Sequence, residues 1–361
     1  MNGFSQDELV VGAEYEVLSG LDVGGRYINR RLNDVVEDTG TAPLVSFLVP
    51  GAADSVEFFV TNPGPDSPVI PFQGFDISHA EPTRDYDAVE VFADKRFGDN
   101  WRLQASYRWS RLEGNFEGFF RNDNGQSDPG ITSLFDFPTN DPSFAALADQ
   151  LDLRGDLRFL ADENWILPND RRHQFKAFGN YLFPFRLNVG AGFMANSGAP
   201  LTPLASNAVF GNAGEIPEAP RGSGLQTVDG FRTRTETEYN VDLHADYGFR
   251  LPSGQRITAI VDLFNLFNID RVLAYDPRTE LRAGRPANVN PDFGAAGVDP
   301  QPGAGAGAVA VPSADRRPPR VLSAPEDRAG TAAVAVPGSD RGTDHAHGLH
   351  EWDAAANRSV R

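Results

Sequence analysis

The chain contains no cysteine and only two lysines, Lys95 and Lys176. The first absence excludes disulfides and thiolate metal sites. No run of about 18 apolar residues occurs, so no transmembrane helix can be drawn on this sequence. Basic residues are outnumbered, and the net charge of −18 excludes nucleic acid as an expected partner, because phosphate binding needs a basic face. The opening residues, Met1 to Glu8, offer neither a charged n-region nor a hydrophobic h-region, so no export signal is expected in the chain as written. G-x-S-x-G, H-E-x-x-H and phosphate-cradling loops are missing as well, and no enzyme and no cofactor are expected.

Apolar residues make up 40% of the 361, and the mean hydropathy is −0.37. That is low for a soluble core protein. It does not exclude a membrane barrel, whose alternating strands average their hydropathy away.

What is present is alternation. In Trp101-Arg-Leu-Gln-Ala-Ser-Tyr-Arg-Trp-Ser-Arg, one set is Trp101, Leu103, Ala105, Tyr107 and Trp109. The other is Arg102, Gln104, Ser106, Arg108 and Ser110. A period of two is the strand period, so one face is apolar and the other wet. Trp101 and Trp109 are eight residues apart, about 26 Å at roughly 3.3 Å each. That is close to the apolar band of about 25 Å, edged by aromatic girdles, of an outer-membrane barrel. The preceding arm, from Val89 to Phe97, alternates more loosely, and Gly98-Asp99-Asn100 supplies a tight turn.

Three more hairpins follow the same scheme. The first sets Leu9, Val11, Ala13, Tyr15 and Val17 against Leu21, Val23, Gly25 and Tyr27 across Ser19-Gly20. Another runs from His173 to Met194, with Phe175 to Phe183 repeating the eight-residue aromatic spacing. The last carries Tyr239, Val241, Leu243, Ala245, Tyr247 and Phe249 on one face, and Asn240, Asp242, His244 and Asp246 on the other. It turns at Leu251-Pro-Ser-Gly into Ile257, Ala259, Val261 and Leu263. Between hairpins lie long irregular stretches, 33–84, 113–170 and 196–234, with one short helix expected at Phe144 to Leu151. Connections of that length are unusual in a compact soluble domain. Alternation of tight turns with long loops is the barrel topology.

The expected fold is therefore all-β: an antiparallel transmembrane β-barrel fragment of about eight strands in four hairpins, spanning 1–293. Trp101, Tyr107, Trp109, Phe175, Phe183, Tyr239, Tyr247 and Phe249 are expected to face lipid as girdle residues. Arg102, Gln104, Arg108, Asp242, His244 and Asp246 are expected to line a watery lumen. After Phe293, residues 294–361 turn to Ala, Gly, Pro, Asp and Arg, a composition that cannot bury a core. A disordered tail is expected there, from a shifted reading frame in a GC-rich gene.

Several local patterns suggest chemistry that the strand context argues against. Gly190-x-Gly192-x-x-Ala195 matches a dinucleotide fingerprint only superficially, since no helix opens after it. Asp242, His244 and Asp246 share a face on which a cation site or general acid–base chemistry is conceivable; lumen-lining polar residues are the plainer account. Asn122-x-Asn124-Gly125 has part of a calcium loop without its terminal Glu. His345, His347 and His350 sit in the tail, where only adventitious metal binding is expected.

Four phrases, in this order, resemble TonB-dependent receptors, notably the Oar-like group. They are Tyr86-Asp-Ala-Val-Glu-Val, Asp170-Arg-Arg-His-Gln-Phe, Ser197-Gly-Ala-Pro-Leu-Thr-Pro and Val261-Asp-Leu-Phe-Asn-Leu-Phe-Asn. The resemblance covers about residues 7–290 and corresponds to the C-terminal part of such a receptor. It implies an outer-membrane location for the parent, contact with outer-membrane lipid, and ligand uptake through a barrel of about 22 strands. It also implies a plug domain and a TonB-engaging box, neither of which this chain carries. The transported ligand is not legible. A non-transporting surface barrel or adhesin, and a soluble β-sandwich module, stay open at this point.

Overall fold

A computed structural model of the chain describes residues 1–44, 46, 57–70, 76–126, 133–140, 165–207, 209–282 and 288–297. The expected helix at 144–151 and the histidines at 345, 347 and 350 lie outside the described residues.

Eight strands run in chain order across one antiparallel sheet. They are β1 Ser5–Leu18, β2 Leu21–Asp34, β3 Arg84–Gly98, β4 Trp101–Gly114, β5 His173–Leu182, β6 Leu187–Asn196, β7 Glu238–Arg250 and β8 Arg256–Leu263. Each pairs with the next, so the sheet is an uninterrupted meander whose two edges are β1 and β8. A two-residue strand, Trp165–Ile166, also pairs with the end of β4. Antiparallel neighbours need only tight connections, and four of the seven links are tight. The β3–β4 turn is the clearest: Asp99 (φ 51°) and Asn100 (φ 68°) both take left-handed backbone, closing the Gly98–Trp101 pair. Two consecutive positive-φ residues match the right-handed twist of the flanking strands, and Asn and Asp tolerate them best.

The register aligns the alternating patterns into two continuous faces. Tyr107 opposes Phe175, Phe175 opposes Ala195, and Ala195 opposes Tyr239. Six residues away along β4, Trp101 opposes Tyr181. The apolar face is thus bounded by two rows of aromatics, with Leu103, Ala105, Ala177, Ala191 and Leu243 between them. On the opposite face Arg26, Glu90, Arg108 and Gln174 form one row. Arg102, Asn180, Gly190, His244 and Asp262 form another. A one-residue slip anywhere would exchange the faces, so the eight strands fix one another's register.

The sheet covers almost nothing. Val11 is 60% exposed, Val89 47% and Val261 58%, all on the apolar face. Isolated apolar exposure is ordinary, but a contiguous exposed apolar face marks a surface made for lipid or a partner.

The buried core lies instead at one end, in the three long connections. Val35, Leu44, Phe116, Leu134, Phe135, Phe137, Ala205 and Ile216 pack together there, drawn from all three. Short strands brace them: Glu37–Gly40 with Phe58–Thr61, Leu204–Ala205 with Ile216–Pro217, and Leu225–Thr227 with Gly230–Arg232. The sequence pattern marks these connections as irregular, whereas the described parts fold into an ordered cap. The chain after β8 joins it, because Leu201, Leu225 and Tyr275 pack with Phe293 and Ala296. Of residues 294–297, Ala296 belongs to this cluster and Gly294 N–H donates to Asp276 O at 2.8 Å; residues 298–361, the rest of the expected tail, lie outside the described residues.

Candidate functional site

The polar face of the sheet is a network of paired charges. Glu90 sits between two arginines, accepting from Arg26 Nη2 at 2.6 Å and from Arg108 Nε and Nη2 at 2.8 and 2.6 Å. The three residues belong to adjacent strands at one level, so strand pairing alone brings them together. Gln104 donates to Asp94 at 2.7 Å. Farther along the sheet, His244 Nδ1 lies 2.6 Å from Asp262 Oδ1 and its Nε2 lies 3.1 Å from Asp246 Oδ2. Asp246 also accepts from Asn188 at 2.8 Å, and Asp242 accepts from Asn240 and from the Asn265 backbone N–H, both at 2.8 Å. Asp242, His244 and Asp246 share this face, and their carboxylates are held by amides and imidazole. Among the described residues, no group of three or more His, Asp or Glu is placed to hold a metal ion.

Each expected girdle or lumen residue except Phe183 has a place in this register. Trp101, Tyr107, Trp109, Phe175, Tyr239, Tyr247 and Phe249 stand on the apolar face. Phe183 lies beyond the end of β5 in the following turn, edge-on to Tyr181 at 4.9 Å and stacked with Phe185 at 5.3 Å. Arg102, Gln104, Arg108, Asp242, His244 and Asp246 occupy the opposite face. Gly190 and Gly192 are strand residues of β6, and no helix follows them.

A trough of about 500 Å³ opens on the polar face over β6. Its floor is the bare backbone at Gly190 and Gly192. A Cβ at Gly192 would lie 3.2 Å from the Phe178 ring, so the missing side chain lets that ring lie across the strand.

The cap also carries buried ions. Arg121 and Arg221, from different connections, are 0% and 3% exposed. Arg221 Nε donates to Asp123 Oδ2 at 2.8 Å and its Nη2 pairs with Glu117. Arg121 Nε reaches Asp123 Oδ1 at 3.1 Å, and its Nη1 lies 3.3 Å from Glu117 Oε2. Burial pushes the Asp123 carboxyl up, but the two guanidinium groups outweigh it and hold it well below the ordinary carboxylate range. The Asn122-Asp-Asn-Gly turn therefore spends its acid on arginines. Asn124 Nδ2 meanwhile donates to Gly214 O at 3.1 Å. Nothing in the hydropathy pattern signals this quartet, since its members are up to 104 residues apart.

Nearby, Asp136 is partly buried beside Glu215, Asp38 and Glu37. Burial and their repulsion push its carboxyl well up, against a 3.0 Å hydrogen bond from Asn207. Burial likewise raises Glu215. His79, 2% exposed, reaches Gly40 O at 3.0 Å, and burial lowers its imidazole to about 4.

The remaining sequence phrases meet at the cap end of β5 and β6. Asp170, with a fully buried side chain, accepts from Leu112 N–H at 2.9 Å, Arg172 Nε at 3.2 Å and Arg234 Nη2 at 2.6 Å. Arg171 Nη1 donates to Ser197 O at 3.0 Å, and His173 N–H to Ser197 Oγ at 3.0 Å. Gly198 is required by close approach: a Cβ there would sit 1.9 Å from Thr235 O. In the fourth phrase, Asn265 (φ 48°) and Asn268 (φ 47°) take left-handed backbone where β8 ends. Two of the phrases are thus one latch, Asp170–His173 against Ser197–Pro200.

No family model matches the sequence. The TonB-dependent transporter Oar of Myxococcus xanthus is 32% identical over 286 residues, covering 78% of this chain and 22% of that protein. The chain thus spans about a fifth of that relative's length. Among solved structures, the outer membrane transporter YddB from Escherichia coli is similar with a TM-score of 0.40 and 9% identity, covering 79% of this chain and 30% of that one. With the antiparallel all-β meander, this identity makes the chain an outer-membrane β-barrel fragment that belongs to the TonB-dependent receptors of the Oar-like group.

Proposed function

We propose that this chain forms part of the wall and extracellular cap of an outer-membrane transporter that takes up a ligand at the expense of TonB. The apolar face, with Trp101, Tyr107, Trp109, Phe175, Phe183, Tyr239, Tyr247 and Phe249 at its margins, meets lipid. The polar face, with Arg102, Gln104, Arg108, Asp242, His244 and Asp246, lines the lumen. The observation that carries the reading is the two-faced register held across all eight strands, with every long connection at one end. Neither edge of the sheet can remain open in hydrocarbon, because unpaired backbone groups have no partner there; further wall strands of the complete protein pair with β1 and β8. Plug and TonB-engaging box belong to the rest of the parent, and the chain meets the TonB complex only through them.

Ordered loops suit capture of a ligand outside the cell. The described parts of the three connections share one apolar core, and the buried ionic quartet ties the second to the third; such a fixed surface lowers the entropy lost on binding. The test is made in cells producing the complete protein. Protease added outside should cut within 113–170 and spare the turns at 98–100 and 251–254, and growth on the transported ligand should stop when TonB is deleted. Cleavage at the tight turns overturns the orientation, and uptake that persists without TonB overturns the mechanism.

A further inference from the structure

The trough over β6 is polarised across the sheet. On one side stands Arg102 of β4, whose guanidinium makes no hydrogen bond or ion pair among the described residues. On the other stand Asp242 of β7 and Asp262 of β8. Both engage their partners through Oδ1 and leave Oδ2 without a hydrogen bond among the described residues. The middle strand contributes no side chain above its backbone at Gly190 and Gly192. Phe178 and Phe264, 46% and 78% exposed, supply apolar surface within the same lining.

We propose that this trough binds a short unblocked peptide as a zwitterion, its carboxylate on Arg102 and its ammonium on Asp242 and Asp262. The inference rests on the reading that this face lines the lumen. Three features favour the zwitterion over an ion of one sign. An anion alone would face two aspartates, and a cation alone would face Arg102, so each would meet repulsion that a dipolar ligand avoids. The span fits: three strand spacings of about 4.8 Å put the strand of Asp242 about 14 Å from that of Arg102, and a fourth puts Asp262 about 19 Å away. A tripeptide extends about 10 Å, and the reach of the wall side chains covers the remainder. An arginine fork also matches a carboxylate in two parallel hydrogen bonds. His244, clamped between Asp246 and Asp262, holds the acidic wall in place rather than contacting the ligand.

The test uses the complete protein purified in detergent, with tritiated Ala-Phe-Ala in equilibrium dialysis. The free tripeptide should bind, and its N-acetylated and C-amidated forms should bind at least tenfold more weakly. Arg102→Gln should weaken the free peptide tenfold while leaving the amide unchanged. Asp242→Asn should weaken the free peptide yet leave the acetylated form unchanged. Gly190→Leu, where a Cβ meets only ordinary contacts at 3.5 Å or more, should fill the floor and abolish binding. Equal binding of free and blocked peptides overturns the proposal whatever the variants do. Absence of any peptide binding, with a crosslink from position 102 to another segment of the same polypeptide, assigns the trough to that segment and also overturns it. Either failure leaves the transport reading standing if uptake still requires TonB.

Discussion

Asp170 Oδ2 lies 2.6 Å from Arg234 Nη2, and the same carboxylate also holds Arg172 and the Leu112 N–H. A side chain with no exposure thereby ties the end of β4 to the second and third long connections. Asp170→Asn should cost about 1–3 kcal/mol, because the buried side chain loses the charge that holds two partly exposed arginines. Urea unfolding of the refolded complete protein, followed by cleavage within 113–170, measures it. A loss below about 0.5 kcal/mol would show the latch to be incidental.

The two faces of β4 give a second expectation. Leu103→Arg places a guanidinium in the middle of the apolar face and should cost about 2–4 kcal/mol in a bilayer. Gln104→Arg, one residue on, should be nearly neutral, since it faces water and can still reach Asp94. Equal costs for the neighbours, measured by reversible unfolding in lipid, would remove the membrane assignment of the faces.

Within the cap, Arg221→Gln should cost about 3–5 kcal/mol locally. Glu117 and Asp123 would then share Arg121 alone, in a place that water does not reach. The effect should hardly change with salt, because buried pairs are little screened. Hydrogen exchange is the natural measure: amides of 121–126 should lose protection while those of β5 and β6 keep theirs. Simultaneous loss in the strands would mean that cap and wall unfold together.

The acids and the histidine of the cap pull stability in opposite directions with pH. His79 titrates near 4 when folded and near 6.5 when unfolded. Below 6.5 the unfolded chain takes up the proton first, so cap stability falls between pH 6.5 and 4, by about 3 kcal/mol at most. Asp136 and Glu215 are raised instead, so the stability that goes with their neutral forms is full at low pH and declines as pH climbs above the ordinary carboxylate range. His79→Gln should flatten the acid side, and Asp136→Asn should stabilise the cap at pH 7 to 8. Loop protection against protease, followed from pH 4 to 8, separates the two. A profile unchanged in both variants would rule out this origin of the pH dependence.

How much of this was legible beforehand follows from the range of the interactions. The strands were, because alternation is a local signal: Trp101 to Ser110 declares two faces without reference to any neighbour. The turn at Asp99-Asn100 was legible for the same reason, its residues being those that tolerate positive φ. The resemblance phrases were visible as phrases, but their purpose was not. Asp170 and Arg234 are 64 positions apart, and no pattern within either stretch foretells that they meet. The sequence pattern marks the cap as irregular because its order comes from such long-range contacts, Arg221 with Glu117 and Phe116 clustered with Ile216, on a background of Gly, Pro and Asp. The aromatic spacing of eight residues was in the sequence; that Tyr107, Phe175 and Tyr239 stand at one level was decided only by register. Local periodicity determines which face a strand residue takes, since the backbone imposes it residue by residue. Which charges meet across the wall, and how three long connections share one core, is decided by tertiary structure, because only the folded sheet brings their ends within reach.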